Sequence, residues 1–492
     1  MACSPSCQHL SFLATGVAIL LRGPLLLRMP TSINASQARA GPGDDITPVS
    51  LGQRITALDV LRGFALLGIL MMNIEDFSGP EGVHDIPVKT GHPAFVGWHA
   101  QLDYALLAFK WLFFEGKMRT LFAMLFGAGI VLLTERFERR GTAGLAADIF
   151  SRRNMWLLLF GMLHGTLIWG GDILALYAID ALLFMFPFRH VEPRRLMVLG
   201  LALGIAGGMF GMARFFDIPG QLTQEQLRSE GQAALDTHHA PSPAQRDALD
   251  AAAKESKKSA HELEESLRTA RLPYLQSIGP RTEGFLDALG KVLFSGITLE
   301  FGGSMLLGMG LYKIGFFSAR LSPRTYVLTA TIGYAISAPI VLGGIVLLAR
   351  HDFSKAAALR WMILPYHVEV FPAAIANTAV VLLLVNEGWL KPVQRALANV
   401  GRTAFSNYIG TSLLCQFVFD WGPWKLYGQL EYYQQALAVV TVWTVNLVAS
   451  ALWLRYFAYG PLEWAWRSLT YWRRQPLRLT ATPSPLVPSS QP

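Results

Sequence analysis

Cysteine and familiar catalytic motifs are both scarce in this sequence of 492 residues. The three cysteines are Cys3, Cys7 and Cys415, of which two lie near the N-terminus and one lies in an apolar segment. This distribution suggests neither a disulfide framework nor a metal site. The sequence also lacks a nucleotide-binding loop, a zinc motif, a nucleophile elbow and a redox pair of cysteines. Function therefore has to be inferred from polar residues that lie within apolar segments.

Charged residues make up only 15% of the chain, whereas apolar residues make up 52%. A soluble domain usually contains about 25% charged residues. Several apolar runs of about 20 residues instead predict a multi-pass helical membrane protein, because a helix of that length satisfies its own backbone hydrogen bonds inside lipid. Most Lys and Arg residues flank these runs. The net charge of +8 therefore indicates topology in the lipid bilayer and does not indicate nucleic-acid binding.

Alternating basic and acidic loops predict an all-α bundle of about ten spans in a bacterial inner membrane, with both termini in the cytoplasm. The predicted regions are an N-terminal extension (1–53), a bundle of five spans (54–216), a polar extracytoplasmic helical insertion (217–284), a second bundle of five spans (285–470) and a disordered cytoplasmic tail (471–492). The extension is either poorly ordered or the result of a start codon assigned too early. The insertion is rich in helix formers and alternating charge, which favours a solvated cap over a lid.

The first predicted span, residues 54–74, contains Asp59, Arg62 and Asn73. Arg62 and Asn73 are eleven residues apart, close to three helical turns, so they lie on one stripe about 16 Å apart. Asp59 lies three residues before Arg62, which lets the two side chains pair. A charge in hydrocarbon costs about 2.5–3.5 kcal/mol on insertion scales, so the stripe is expected to face protein or a wet cavity. The alternative is an orientation signal, in which both charged residues only anchor the helix at the headgroups.

His164 and Asp172 flank the outer ends of the third and fourth predicted spans, where Gly165, Gly170 and Gly171 loosen the backbone. A nearby carboxylate can hold a histidine in one tautomer and make it a general base. These two residues are therefore the candidate catalytic residues. The alternative is that His164 forms a hydrogen bond within the bundle and that Asp172 caps the fourth span.

Other polar residues are candidates for lining a substrate site or tunnel. Residues 103–114 are predicted to form a half-buried interfacial helix before a span at 121–134, and the charged residues between them favour interfacial anchoring over headgroup or substrate binding. Ionisable groups inside predicted spans are either functional or partners for Arg62 or Arg119. At the start of the ninth span, Arg402 either binds a phosphate or only marks the cytoplasmic side. The candidates are Glu115, Lys117, Arg119, Asp180, Glu300, Asn377, Arg402 and Asn407.

Several short motifs resemble those of the YeiB family of bacterial membrane proteins. They are Leu58 to Ala65 with Met72-Asn73, Phe114 to Lys117, Leu121 to Gly127, Leu163-His164 with Gly171 to Leu174, Gly401 to Ala404 with Asn407-Tyr408, and Gly460 to Trp464 with Trp466-Arg467. The resemblance covers about residues 54–475. It implies a multi-pass membrane fold and a location in the membrane.

More distantly, the first helix resembles that of the transmembrane acyltransferases, which include the lysosomal heparan-alpha-glucosaminide N-acetyltransferase. This resemblance implies transfer of an acyl group from cytoplasmic acyl-coenzyme A to an extracytoplasmic small molecule or glycan. Cytoplasmic Arg residues would hold the donor's phosphates, and His164 would deprotonate the acceptor. The lysosomal enzyme uses a histidine in the loop after its first helix, where this chain has His84, His92 and His99 without a matching local motif.

Two other hypotheses stand beside the enzyme. A transporter would use the same buried polar groups as a path for a small solute. Such proteins often have inverted repeats with broken helices, and this sequence has no clear internal repeat, which favours the enzyme. An assembly partner would have no chemistry of its own.

Overall fold

The chain folds into α-helices, and the predicted fold class, an all-α membrane bundle, is confirmed. The computed structural model describes residues 56–79, 97–215, 217–351 and 353–479. Within these ranges there is no β-strand, and Phe457 forms one isolated antiparallel bridge with Arg478. The predicted extension (1–53), His84, His92 and the end of the predicted tail lie outside the described residues.

The helices follow one another with short connections. Those of the first half are α1 (Thr56–Ser78), α2 (Ala100–Phe113), α3 (Lys117–Arg139), α4 (Ala143–Leu167), α5 (Leu174–Asp180), α6 (Pro193–Ala202) and α7 (Gly208–Phe215). The next three are α8 (Ile218–Asp236), α9 (Pro243–Ala270) and α10 (Tyr274–Ser295). Those of the second half are α11 (Thr298–Lys313), α12 (Pro323–Arg350), α13 (Lys355–Ala358), α14 (Tyr366–Asn386), α15 (Lys391–Arg402), α16 (Ala404–Gln416), α17 (Tyr432–Trp453) and α18 (Pro461–Thr470).

Six helical segments of the described residues are long and apolar enough to cross a membrane, so the predicted count of ten is not confirmed. They are α1, α2 with α3, α6 with α7, α12, α14 and α17. Helices α10 and α11 add a seventh if they form one span bent by 70°. Three further predicted spans correspond to α4, α5 and α16, which are not among these segments. Helix α4 contains charged residues, whereas α5 and α16 are short and continue into the π-helical turns Ala181–Met185 and Phe417–Trp421.

Helix α1 lies at the centre of the bundle. It is buried along most of its length and packs against α3, α15, α16 and α17. At Gly63 its backbone approaches α15 so closely that a Cβ would lie 2.0 Å from the Leu397 carbonyl oxygen. The polar stripe of α1 therefore faces protein, as its cost in hydrocarbon predicts.

The turn between α2 and α3 points charged residues into the bundle. Gly116 has a φ of 70°, which glycine adopts without the steric cost of a side chain. A Cβ at this position would also lie 2.0 Å from the Tyr366 hydroxyl. The next residue, Lys117, is consequently 0% exposed. Interfacial anchoring is therefore the wrong interpretation for Lys117.

The polar helices α8 and α9 are followed by α10, which packs against α4. Helix α9 begins with a capping box formed by Ser242 and Gln245. In α10, Arg281 donates a hydrogen bond of 3.1 Å to the Leu167 carbonyl at the end of α4. The insertion thus contacts the end of α4 that bears His164.

Glu463, near the start of α18, closes the first turn of α16. Its carboxylate accepts hydrogen bonds from the backbone N–H of Phe405 (2.6 Å) and Ser406 (3.1 Å) and from the Ser406 hydroxyl (2.5 Å). These bonds satisfy donors that a helix start leaves unpaired. Burial raises the pKa of the Glu463 carboxyl, while its hydrogen bonds partly lower it. The last helix is therefore tied into the bundle.

Candidate active site

The structure brings His164 and Asp172 together. The His164 Nδ1 lies 2.7 Å from the Asp172 Oδ2, and both side chains are buried. The other carboxylate oxygen, Oδ1, accepts a 2.8 Å hydrogen bond from the backbone N–H of Ala175 in the first turn of α5. Asp172 therefore caps a helix and orients the histidine at the same time. The sequence left open whether Asp172 orients His164 or caps the following helix, and in the structure it does both.

Two glycines of α4 create the space for this pair. A Cβ at Gly161 would lie 2.4 Å from the Ala175 nitrogen and 2.7 Å from the Asp172 Oδ1. A Cβ at Gly165 would lie 2.5 Å from the ring of Phe285 in α10. The pair is consequently held between the turn that precedes α5 and the insertion.

Two aromatic rings lie beside His164. The Tyr408 ring centroid is 5.1 Å from that of His164, and the Trp169 ring centroid is 6.3 Å away. The Tyr408 hydroxyl accepts a 3.3 Å hydrogen bond from the Ile173 N–H, next to Asp172. Among the described residues, no group forms a hydrogen bond with the buried His164 Nε2. Because Asp172 accepts the proton of Nδ1, Nε2 is the nitrogen that can accept a proton.

A narrow cleft beside these rings contains Asn73. Its lining residues are Leu66, Ile69, Leu70, Asn73, Phe77, Trp169, Tyr408, Thr411 and Ser412. Tyr408 and Trp169 contact the cleft and flank the His164 ring, so Asn73 and the His164–Asp172 pair share two aromatic neighbours. The Asn73 end of α1 therefore lies near the candidate catalytic pair.

Arg62 lies toward the other end of α1 and does not line this cleft. Its guanidinium donates a 3.0 Å hydrogen bond to Asp59, the pairing that the sequence predicts, and its side chain is 31% exposed. Along the helix, Arg62 therefore lies about 16 Å and Asp59 about 21 Å from Asn73.

A second group of predicted residues forms buried ion pairs between α3, α11 and α14. Lys117 Nζ lies 2.6 Å from the Glu369 carboxylate, and Arg119 lies 2.9 Å from Glu300. His367 Nε2 lies 3.0 Å from the second oxygen of Glu300. The sequence left Glu300 as either functional or a partner of Arg119, and the structure makes it that partner.

Two further acidic residues join this network through Lys110. Lys110 Nζ lies 2.6 Å from Glu75 and 3.5 Å from Glu115. The first span was predicted to end at residue 74, whereas α1 continues to Ser78 and Glu75 is 2% exposed. We call the residues Glu75, Lys110, Glu115, Lys117, Arg119, Glu300, His367 and Glu369 the ionic network.

The remaining predicted residues lie apart from the cleft lining. Asn407 donates hydrogen bonds to Thr403 (3.0 Å) and Ser450 (2.8 Å) and so holds α16 against α17. Asn377 donates to the carbonyl of Phe113 and connects α14 to α2. The other two, Asp180 and Arg402, end α5 and α15, where Asp180 is buried and Arg402 is half-buried.

Sequence reasoning missed Tyr408, His367 and Glu369. Tyr408 was quoted in a motif but was given no role, because a tyrosine in an apolar helix carries no distinctive signal. Glu369 was detectable as an ionisable residue within a predicted span. His367 was missed because the predicted span began one residue after it, whereas α14 begins at Tyr366.

Comparisons with known proteins identify the family. A family model described as "Protein of unknown function (DUF418)" matches residues 311–473. "Uncharacterized protein YeiB" of Escherichia coli (strain K12) is 30% identical over 426 residues, which cover 85% of this chain and 96% of the relative. The chain belongs to the YeiB family. The resemblance predicted from the motifs is confirmed.

Two further relatives have nearly the same extent. "Uncharacterized protein YxaH" of Bacillus subtilis (strain 168) is 29% identical over 440 residues, 88% of this chain and 98% of the relative. "Uncharacterized 39.9 kDa protein in amylase 3'region" of Bacillus acidopullulyticus is 26% identical over 449 residues, also 88% and 98%. No solved structure matches the chain. The names of these YeiB-family proteins state no activity, so acyl transfer is a proposal.

Proposed function

We propose that this YeiB-family protein is a transmembrane acyltransferase that uses acyl-coenzyme A as the donor and an extracytoplasmic small molecule or glycan as the acceptor. The observation that supports this proposal best is the buried His164–Asp172 pair beside the cleft that contains Asn73. A histidine held in one tautomer by a carboxylate is the usual arrangement of a general base. The network contains a similar pair, His367 and Glu300, but there the carboxylate is shared with Arg119, whose guanidinium lies 2.9 Å from it.

The proposed reaction uses the His164 Nε2 twice. It takes a proton from the acceptor hydroxyl or amine while the acceptor atom attacks the carbonyl carbon of the thioester. The carbon–sulfur bond then breaks, and the departing sulfur of coenzyme A receives that proton. The proton on Nδ1 stays on the ring throughout, where it is hydrogen-bonded to Asp172, and the Asp172 carboxylate stabilises the ring when Nε2 is also protonated. The Asn73 amide is available to donate a hydrogen bond to the carbonyl oxygen as it becomes negatively charged.

The proposed orientation follows the positive-inside rule. The end of α4 that bears Arg152 and Arg153 would face the cytoplasm of the bacterial inner membrane, and His164 would lie near the outer face. Both termini would then be cytoplasmic. The donor would approach from the Arg end, and the acceptor would approach beneath the insertion.

The test is acyl transfer by the purified full chain, measured as release of the coenzyme A thiol in the presence of a panel of sugar and amine acceptors. We expect His164→Ala to lower the rate about 10²- to 10⁴-fold, the usual contribution of a general base. His351→Ala, which changes an exposed histidine, is the matched control and should keep the rate. Equal rates in both variants, with equal thermal stability, would remove His164 from the mechanism. Absence of acyl-coenzyme A binding and turnover would overturn the proposal.

A transporter is the second candidate, and the broken α10–α11 helix favours it. Gly296, at the break, has a φ of 93°, and Glu300 lies one turn into α11. Discontinuous helices with ionisable groups are common at the binding sites of transporters. This hypothesis predicts solute uptake into sealed proteoliposomes that Arg62→Ala and Glu300→Gln both reduce. Uptake that is unchanged in both variants would exclude it.

A further inference from the structure

Arg153, at the end of α4 opposite to His164, has a guanidinium group arranged for an anionic ligand. The guanidinium carbon lies 3.8 Å from the centroid of the Trp466 ring, and the Trp466 Nε1 donates a 2.9 Å hydrogen bond to the Arg153 carbonyl. The ring covers one face of the guanidinium, while the N–H donors lie in its plane. A stacked arginine of this kind is well suited to bind a phosphate through two parallel hydrogen bonds.

Two more guanidinium groups act on Arg153. Arg467 and Arg62 both lie close enough to repel it electrostatically. Arg467 is also stacked, with its guanidinium carbon 4.7 Å from the Tyr459 ring centroid. Arg62 is also paired with Asp59. Like charges brought together in a partly buried place destabilise one another, and a bound polyanion would relieve that repulsion.

Arg153 and Arg62 are separated from the candidate active-site residues of their own helices by the same number of residues. Arg153 precedes His164 by eleven residues on α4, and Arg62 precedes Asn73 by eleven residues on α1. In both helices the separation is close to three turns, about 16 Å along the axis. Leu66 of α1 and Leu157 of α4, which lie between these ends, belong to the same hydrophobic cluster. The cleft residues Leu66, Ile69 and Leu70 lie in this interval.

We propose that Arg153, Arg467 and Arg62 bind the phosphate groups of a nucleotide-type acyl donor, with its thioester arm directed along α1 and α4 toward His164. This inference rests on the proposed acyl transfer for its donor, but its binding test does not require turnover. The chemistry recognised is a pair of adjacent phosphates, and the Trp466 and Tyr459 rings hold the arginines in position to bind them.

The experiment measures binding of coenzyme A by the purified full chain in neutral detergent, with pantetheine, which lacks the phosphates, as the second probe. We expect Arg153→Gln to weaken coenzyme A binding at least tenfold and pantetheine to bind too weakly to detect. Arg152→Gln is the matched control, because the neighbouring Arg152 is already paired with Asp148, and it should bind like the wild type. Arg153→Lys should keep part of the affinity, which separates loss of charge from loss of fold.

Three results would overturn the inference. One is equal coenzyme A affinity in Arg153→Gln and wild type. Another is equal loss of affinity in Arg153→Gln and Arg152→Gln, which would indicate nonspecific electrostatics. The third is complete displacement of coenzyme A by phosphatidylglycerol in nanodiscs, which would assign the site to a lipid headgroup. If coenzyme A binding depends on Arg153 but no acyl transfer occurs, the phosphate site stands and the proposed reaction is rejected. If acyl transfer occurs at the same rate with and without Arg153, the proposed reaction stands and the phosphate site is rejected.

Discussion

Two buried polar regions of this protein differ in the number of ionisable groups that they bring together. The ionic network joins Lys110, Lys117 and Arg119 to four carboxylates across α1, α2, α3, α11 and α14. The candidate active site contains one ionisable pair, His164 and Asp172, and Nε2 of its histidine, like Nδ1 of His367 in the network, has no hydrogen-bond partner among the described residues. The first region joins helices to one another, whereas the second lies beside a cleft.

This difference shows that an ionisable residue inside a membrane bundle is not by itself a catalytic residue. Buried charges are strongly destabilising when one partner is removed, so a paired network acts mainly as a set of helix connections. A base, in contrast, needs an open nitrogen and an oriented partner. The comparison is sharpest when stability and activity are measured on the same variants.

Lys117→Met should have the largest effect on stability. The substitution leaves Glu369 buried without its partner, and breaking a buried ion pair in this way costs about 3–5 kcal/mol. We expect a large fall in the melting temperature of the detergent-purified protein, measured by intrinsic tryptophan fluorescence. The double variant Lys117→Met/Glu369→Leu should recover most of the loss. A single variant as stable as wild type would contradict the assignment of this pair as a helix connection.

Gly161→Ala should have a smaller effect on stability and a larger one on acyl transfer. The added Cβ would displace Asp172 and the start of α5, at a cost of about 1–3 kcal/mol for an overpacked site. Gly144→Ala, in the same helix, is the control, because a Cβ there meets nothing within 4 Å. We expect Gly161→Ala to lower the rate of acyl transfer, measured as thiol release, and Gly144→Ala to keep it. If Gly161→Ala retained full activity, the position of Asp172 would not matter to the reaction.

Asp420→Asn tests the contact between the end of α16 and Arg281 of α10, with the smallest expected effect. Burial raises the pKa of Asp420 to about 7, and neighbouring Arg281 of the insertion partly lowers it. Because the pKa in the folded state is above the unfolded value, protonation of Asp420 favours folding below pH 4, and this contribution is lost as the pH rises to about 7. Asp420→Asn should therefore raise the melting temperature at pH 8, on the order of 2 °C, and leave it unchanged at pH 4.

The exposed Asp287 of α10 provides the control for this measurement, since its carboxylate is paired with Lys291 in solvent. Asp287→Asn should change the melting temperature little at either pH. A pH-independent effect of Asp420→Asn would show that its carboxyl group is not destabilised by burial.

The sequence predicted the local part of the candidate site and the fold class. The Asp59–Arg62 pair follows from helical spacing, and the His164–Asp172 pair is separated by a turn of only eight residues. Both predictions needed only local geometry. The central position of α1 also follows, because its polar stripe has to face protein.

The ionic network could not be predicted in the same way. Lys117 and Glu369 are 252 residues apart, and nothing local in either segment specifies the other. Lys117 was misinterpreted because its direction depends on the backbone at Gly116, which turns the chain inward. The count of ten spans is not confirmed for a related reason. Hydropathy locates apolar runs, but it does not show that α5 and α16 are short helices that continue into π-helical turns.

The bond between Glu463 and the start of α16 has a consequence for biosynthesis. Phe405 and Ser406 leave the ribosome almost sixty residues before the carboxylate that accepts their amide hydrogens. Until α18 has been translated, the nascent chain holds these donors without their final acceptor. We therefore expect the start of α16 to reach its final packing only after the last helix has been synthesised.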